Sequence, residues 1–173
     1  LRAAELTLDR ACFKELAELA AGTGSEFAVG YAALATDAAN LRTLVRIRRM
    51  GGGDELLRAA LLHGGRIPVQ ALLSTRGGGF EELTHTGPLR AAGELAVPLL
   101  DGNGNLTAFE RACDDALISY LQRARRTPFG IEVVMGYLGA KEAEFTAVRT
   151  ILSGKLARLD AEKIRARLRL SYL

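Results

Sequence analysis

The chain has 173 residues, of which 49% are hydrophobic, 6% aromatic and 25% charged. This length corresponds to one domain or two small ones, and the composition is that of a globular chain, which excludes intrinsic disorder. The formal net charge of +3 is too small to indicate nucleic-acid binding by itself.

Helix signals dominate the first half of the chain. Asp9 is positioned to cap a first helix and Ser25 to cap a long second one, whose apolar side chains recur every three or four residues. A run of three glycines at 51–53 ends the second helix, and Asp54 begins a shorter one. Glycines and prolines then divide residues 63–105 into short segments, with helices predicted at 69–75, 80–86 and 89–95.

The second half of the chain has clearer helical periods. A helix is predicted at 106–126 and a turn at 127–130, before a long helix that continues to residues 153–154. The apolar face of this long helix is predicted to consist of Val134, Leu138, Phe145, Val148 and Leu152. Asp160 is positioned to cap a final helix with an apolar stripe of Ile164, Leu168 and Tyr172. No segment alternates as a strand does, so the predicted fold is all-α, with long antiparallel helix pairs joined by short connecting helices.

Two helix pairs resemble each other within the chain. In both copies an acidic residue lies five positions before an Arg-Thr pair: Asp37 precedes Arg42-Thr43, and Glu144 precedes Arg149-Thr150. Further correspondences are Asp9 with Asp114 and Gly30-Tyr31 with Gly136-Tyr137, at offsets of 105 to 107 residues. The repeat predicts two related helical subdomains, with approximate bounds at 1–100 and 101–173.

Residues suited to catalysis or metal binding are scarce in this sequence. His63 and His85 are the only histidines, and neither has a partner at metal-ligand spacing. Cys12 and Cys113 lie far apart and are expected to be two buried thiols in a reducing compartment. No stretch approaches ~18 uncharged apolar residues, so no membrane span is predicted. We therefore expect no catalytic site, metal or cofactor.

Polar side chains on the two long helices are the candidate functional residues. Buried charges are costly unless they are paired, so these side chains are expected to meet at helix junctions or to form a docking surface; a solvated helix face is the alternative. The candidates are Asp37, Asn40, Arg42, Arg46, Lys141, Glu144 and Arg149. A basic C-terminal run comprises Arg158, Lys163, Arg165, Arg167 and Arg169; it is interpreted as a solvated face, with contact with an acidic protein partner or with nucleic acid as the alternatives.

Short motifs follow one another along the chain in a recognisable order. In the first long helix they are Tyr31, Asp37, Asn40-Leu41-Arg42-Thr43 and Arg46, followed by Gly64-Gly65, Glu110 and Asp114. Later come residues 137–144, Val148-Arg149-Thr150-Ile151-Leu152, Lys155, Leu159-Asp160, Ile164-Arg165 and Leu168. This series resembles the C subunit of archaeal and bacterial V-type (A-type) ATPases, which is related to the d subunit of the eukaryotic vacuolar ATPase. Ala147 departs from the family pattern, which usually has Asn there.

The resemblance implies a mechanical role without catalysis. Because family members are about twice as long, the chain is expected to correspond to the C-terminal half of a funnel-shaped, all-helical protein. That protein would couple the central stalk to the membrane rotor ring during ATP-driven proton or sodium transport, or ATP synthesis. It would be peripheral, on the cytoplasmic face of the membrane. The implied partners are central-stalk subunits and the rotor ring, with self-association of the fragment as a further expectation. A helical nucleic-acid-binding or regulatory domain remains the alternative.

Overall fold

The computed structural model of the protein describes residues 2–75 and 79–172. Within these ranges the regular structure is helical and contains no strand, which confirms the predicted all-α class. The α-helices are α1 (Arg2–Gly22), α2 (Glu26–Arg49), α3 (Asp54–Ala60), α4 (Val69–Ser74), α5 (Phe80–Thr84), α6 (Arg90–Leu100), α7 (Leu106–Gln122), α8 (Ile131–Leu156) and α9 (Ala161–Arg165). A 3-10 turn, Arg123–Arg126, extends α7.

Local signals set the ends of the long helices. Ser25 caps α2 as predicted, because its Oγ accepts a hydrogen bond from the Ala28 amide at 3.3 Å. Asn105 caps α7 in the same way, through the Ala108 amide at 3.2 Å. After α2 the chain turns at Gly51, whose φ of 69° is a conformation that glycine adopts without strain. The predicted end of α2 is thereby confirmed.

Two helix boundaries predicted in the first hundred residues were wrong by more than two residues. The first helix begins at Arg2, so Asp9 lies inside α1 and caps nothing. The helix predicted at 89–95 extends to Leu100 and includes Pro98. A proline in the last helical turn removes only one amide donor, and the buried side chains of Ala96 and Leu99 hold this turn against the core.

The predicted final helix is also shorter than expected. It ends at Arg165, and residues 168–172 have no regular structure. This segment lies along α7, where Asp115 accepts a hydrogen bond from the Leu170 amide at 2.6 Å and Gln122 donates one to the Ser171 carbonyl at 2.9 Å. Side chains of α7 thus form hydrogen bonds with backbone groups that would otherwise bond to one another within a longer helix. The predicted helical stripe from Ile164 to Tyr172 is therefore not formed.

One hydrophobic cluster holds α2, α3, α4, α6 and α7 together. Its fully buried side chains include Leu41, Leu44, Leu72, Leu99 and Phe109. Burying a side chain of this size stabilises a fold by about 1.5–3 kcal/mol. The cluster draws on residues before and after position 100, and the division into subdomains at 1–100 and 101–173 stays a prediction.

The large apolar side chains of α8 point away from the body. The five residues predicted as its apolar face do lie on one side of the helix, but Phe145 is 75% exposed and Leu138 60%. The opposite side carries glycines, which let α8 approach its neighbours closely: a Cβ at Gly136 would meet Tyr172 and Ala124, and one at Gly154 would meet Ile164. In the described residues no helix is long and apolar enough to span a membrane.

The two cysteines lie in different environments. Cys113 is fully buried in α7, whereas Cys12 is exposed on α1, which corrects the prediction that both are buried. Burial raises the pKa of the Cys113 thiol to about 12. Cys113 is therefore a small core residue, and Cys12 is a surface thiol.

Candidate functional site

Asp37 and Asn40 attach α2 to the segment that follows α3. The side chain of Asn40 exchanges two hydrogen bonds with Leu62, donating to its carbonyl at 2.9 Å and accepting from its amide at 2.8 Å. Asp37 accepts hydrogen bonds from the amides of Arg66 and Ile67 at 2.9 and 3.0 Å. Both side chains are buried, so two of the seven predicted residues fix a loop against a long helix.

The electrostatics of Asp37 are set by competing effects. Burial raises the pKa of Asp37 above its ordinary value of 3.8, while the hydrogen bonds from the Ile67 and Arg66 amides and the Arg66 charge lower it. Gly65 belongs to the same arrangement, because a Cβ there would overlap Asp37 Oδ1. The close approach of the loop to this carboxyl therefore requires glycine at position 65.

Arg42 and Arg46 extend from α2 to two acids on α7. Arg42 Nε lies 3.3 Å from Glu110 Oε2, and its Nη2 contacts Asp114. Arg46 donates to Glu110 Oε1 from Nη2 at 2.6 Å and from Nε at 3.2 Å. Four charged residues thus connect two helices that lie far apart in sequence, and this connection is only partly exposed to solvent.

Arg169 extends this connection to the C-terminal segment. Its Nε donates a hydrogen bond to Asp114 Oδ2, while the other Asp114 oxygen binds Arg42. Charge-assisted hydrogen bonds of this kind are stronger than neutral ones. Asp114 is therefore the point at which α2, α7 and the C-terminal segment meet. The basic run expected on a final helix is thereby interrupted, since Arg169 lies beyond α9 and is paired with an acid.

The three candidates on α8 lie on the surface. Lys141 and Glu144 form an exposed pair with each other, with 2.9 Å between Nζ and Oε2. Arg149 is exposed, and within residues 2–75 and 79–172 it makes no ion pair or hydrogen bond. A docking role shared by the candidates on both helices stays a prediction.

Tyr120 makes a contact that sequence reasoning missed. Its hydroxyl donates to the Phe27 carbonyl at 3.0 Å, and its ring lies 4.9 Å from that of Phe27. Gly30 makes room for it, because a Cβ at this position would overlap the Tyr120 hydroxyl. The sequence contained one signal for this contact, which is the glycine at position 30 inside a predicted helix. Such a glycine often marks a place where another element approaches the helix closely.

Several cavities adjoin these contacts in the part of the chain that the structure describes, including the following two. The first, of about 350 Å³, lies beside Asp37 and is also lined by Arg66, Thr84 and Tyr120. The second is an open groove of about 620 Å³ between α7, α8 and the C-terminal segment. Three arginines line this groove together with one acid: Arg149, Arg167, Arg169 and Glu110. The groove therefore presents a mainly basic lining to solvent.

The histidines lie apart from these cavities' linings. His63 and His85 are both exposed, and the His85 ring contacts the Glu82 carbonyl of its own helical turn, with 2.6 Å between Nδ1 and O. Among the residues that the structure describes, no group of three His, Cys, Asp or Glu side chains is arranged to hold a metal ion.

Fold and contacts together define an all-helical protein in which charged side chains connect two long helices to a loop and to the C-terminal segment. The family model for the ATP synthase (C/AC39) subunit matches residues 1–167. The chain belongs to this family, in agreement with the resemblance carried by its short motifs.

Two curated relatives are both named as the C subunit of an A-type ATP synthase. The chain is 31% identical to the protein from Halorubrum lacusprofundi over 136 residues, which cover 76% of this chain and 39% of the relative. It is 27% identical to the protein from Haloferax volcanii over 168 residues, which cover 95% of this chain and 48% of the relative. The chain thus spans less than half the length of these relatives. No solved structure matches it significantly.

Proposed function

We propose that the chain acts as a non-catalytic coupling component of an A-type or V-type ATPase, transmitting movement between the central stalk and the membrane rotor ring. In this role it lies at the cytoplasmic face of the membrane and contacts the complex rather than the lipid. Family membership and the names of the two relatives support assignment to the complex. The mechanical part of the proposal rests on the chain's own contacts.

The observation that carries the mechanical role is the series of ion pairs centred on Asp114. Arg42 and Arg169 bind its two oxygens, and Arg42 also contacts Glu110, which in turn binds Arg46. Paired charges hold α2, α7 and the C-terminal segment in one arrangement, and breaking such a pair leaves a partly buried charge without its partner. Helices joined by ion pairs in this way resist sliding along one another, and a protein that transmits movement requires that resistance.

Helix length supports the same role. At 1.5 Å per residue, α2 spans ~36 Å and α8 ~39 Å. The hydrogen bonds of Asn40 and Asp37 attach a loop to the middle of α2, so this part of the helix is fixed in position. Long helices with fixed neighbours transmit a displacement with little bending.

The test is a reconstitution. The chain is added to vesicles that carry the rest of an A-type ATP synthase but have been depleted of their own C subunit, and ATP-driven ion uptake is recorded with sedimentation of the chain. Restored uptake and co-sedimentation are expected, with both reduced by the double variant Arg42→Ala/Arg46→Ala. The matched control Arg125→Ala/Arg126→Ala removes two exposed arginines outside the network. Uptake that is no higher with the chain than without it would overturn the coupling role.

The structure of the C-terminal segment does not favour nucleic-acid binding, the alternative function. Its basis was a basic face on a final helix through residue 169. That helix ends at Arg165, and Arg169 is paired with Asp114. A salt-sensitive affinity for duplex or single-stranded nucleic acid in the micromolar range would nevertheless restore this alternative.

A further inference from the structure

The exposed face of α8 corresponds to a face that is buried in α2. The internal repeat relates the two helices at an offset of 107 residues. The α2 members of three corresponding positions are fully buried, whereas the α8 members are 50–75% exposed. These pairs are Ala38 with Phe145, Leu41 with Val148, and Val45 with Leu152. The second repeat therefore presents to solvent the positions that the first repeat uses for packing.

A complementary situation exists on α1. The repeat relates α1 to α7 at an offset of 105 residues, which places Leu8 at the position of Cys113. Cys113 is fully buried, but Leu8 is 70% exposed. The same offset places Glu5 at the position of Glu110 and Asp9 at the position of Asp114, the two α7 acids that bind Arg42. Both are exposed, and within the described ranges neither has an ion-pair partner.

The contact between α2 and α7 shows how two such faces fit together. Arg42 lies between Glu110 and Asp114, and residues of both helices belong to the same hydrophobic cluster. Arg149 occupies the position of Arg42 in the second repeat. It is a cation without a partner among the described residues, on a helix with an exposed apolar face, and it lines the basic groove.

We propose that two copies of this chain associate head to tail, with α8 of one copy packed on α1 of the other and Arg149 paired with Glu5 and Asp9 of that copy. The interface repeats between molecules the packing that α2 and α7 form within one molecule. Apolar side chains of both helices lose contact with water there, and the ion pairs fix their register. This association goes beyond the coupling function and does not depend on it.

The choice of a second copy follows from the charges on both faces. An isologous contact between two α8 helices buries the apolar stripe but leaves Glu5 and Asp9 unused. A head-to-tail contact gives ion-pair partners both to Arg149 on α8 and to the two acids on α1. In a pair of copies joined in this way, one copy keeps a free α1 face and the other keeps a free α8 face. Further copies can bind to these free faces, so larger assemblies form as the concentration rises, either as rings or as open chains.

The test measures the mass of the purified chain in solution over a concentration series, by sedimentation equilibrium. The wild-type mass is expected to rise with concentration beyond that of a monomer. Arg149→Glu alone and the double variant Glu5→Lys/Asp9→Lys should each weaken association by about tenfold or more, because like charges then face each other. The triple variant that combines them restores opposite charges and should associate again. Phe145→Ser should weaken association without changing the charges.

Matched controls separate the proposed interface from a general charge effect. Arg126→Glu and Glu26→Lys/Glu55→Lys make the same charge changes at exposed positions elsewhere and should leave association unchanged. Circular dichroism must show wild-type helix content in every variant; Arg149→Gln and Glu5→Gln/Asp9→Gln replace any variant that fails this. A wild-type chain that stays monomeric overturns the proposal. So does association that survives Glu5→Lys/Asp9→Lys unchanged, or a triple variant that remains as weak as its parents.

Discussion

Asn40, in the middle of α2, is hydrogen-bonded to both backbone polar groups of Leu62, at 2.9 and 2.8 Å. The Asn40 side chain is fully buried and Leu62 is nearly so. The side-chain amide of Asn40 therefore supplies the hydrogen bonds that water would otherwise make to the Leu62 backbone, which lies outside any helix. A side chain without polar atoms at position 40 would leave these groups unsatisfied inside the protein.

Asn40→Ala is expected to lower the free energy of unfolding by about 2–4 kcal/mol, since two buried backbone groups lose their partner and a small cavity forms. Urea denaturation followed by circular dichroism measures the change. Asn103→Ala removes an exposed asparagine and should shift the free energy by less than about 0.5 kcal/mol. Equal effects of the two substitutions would contradict the structural role of Asn40.

Asp37 should make stability depend on pH in a definite direction. Its pKa is raised in the folded state, so its contribution is fully present below the unfolded pKa and is lost as pH rises through the folded value. The unfolding free energy of the wild type relative to Asp37→Asn should therefore fall between pH 4 and pH 7. Denaturation of both proteins across this range tests the sign. A difference that grows with pH would mean that the amide hydrogen bonds outweigh burial.

The extent to which the sequence predicts this fold depends on whether a signal is local. Ser25 and the glycines after α2 were correctly interpreted because capping and positive φ are properties of a few adjacent residues. The end of the final helix was misjudged, since Asp115 and Gln122 of another helix hold the following backbone extended. No periodicity within residues 161–172 contains that information.

Much the same limit applies to the candidate site. Composition and spacing identified Arg42 as a charge that would need a partner, and α7 supplies Glu110 and Asp114. Periodicity shows which residues share one face of a helix, but not which helix lies opposite that face. For this reason the sequence predicts the members of the apolar face of α8 but not its exposure to solvent, which Phe145 shows.

Asp114→Ala should release the C-terminal segment. The substitution removes one partner from Arg42 and the carboxylate partner of Arg169, and we expect a loss of about 1–2 kcal/mol, because the site is partly exposed and solvent screens the pairs. Hydrogen exchange of residues 168–172 should accelerate most. Glu94→Ala breaks the exposed pair with Arg90 and serves as the control. Unchanged exchange of the segment in Asp114→Ala would refute the anchoring role of Asp114.

Gly30→Ala should disturb the packing of α2 on α7. The added methyl group overlaps the Tyr120 hydroxyl, which must move and give up its hydrogen bond to Phe27. We expect a loss of about 1–3 kcal/mol, reduced when Tyr120→Phe is combined with it, because the hydroxyl is then absent. A double-mutant cycle measures this coupling. Gly22→Ala is the control and should leave the free energy of unfolding unchanged, because a Cβ at Gly22 meets no atom within 4 Å. If the effects of Gly30→Ala and Tyr120→Phe on the free energy of unfolding were simply additive, the contact between positions 30 and 120 would be contradicted.

The cysteines provide a test of the burial of α7. At pH 8, Cys12 is exposed and should react with a thiol reagent within the dead time of a slow mixing experiment, because thiolate is the reactive form and the reagent reaches it freely. Cys113 is fully buried with a pKa of about 12, so only about one molecule in 10,000 carries a thiolate at that pH. One thiol per chain should therefore be titrated in the native protein and two in denaturant. In Cys12→Ser the native count should fall to zero. A native protein that rapidly yields two thiols would show that α7 is not packed as described.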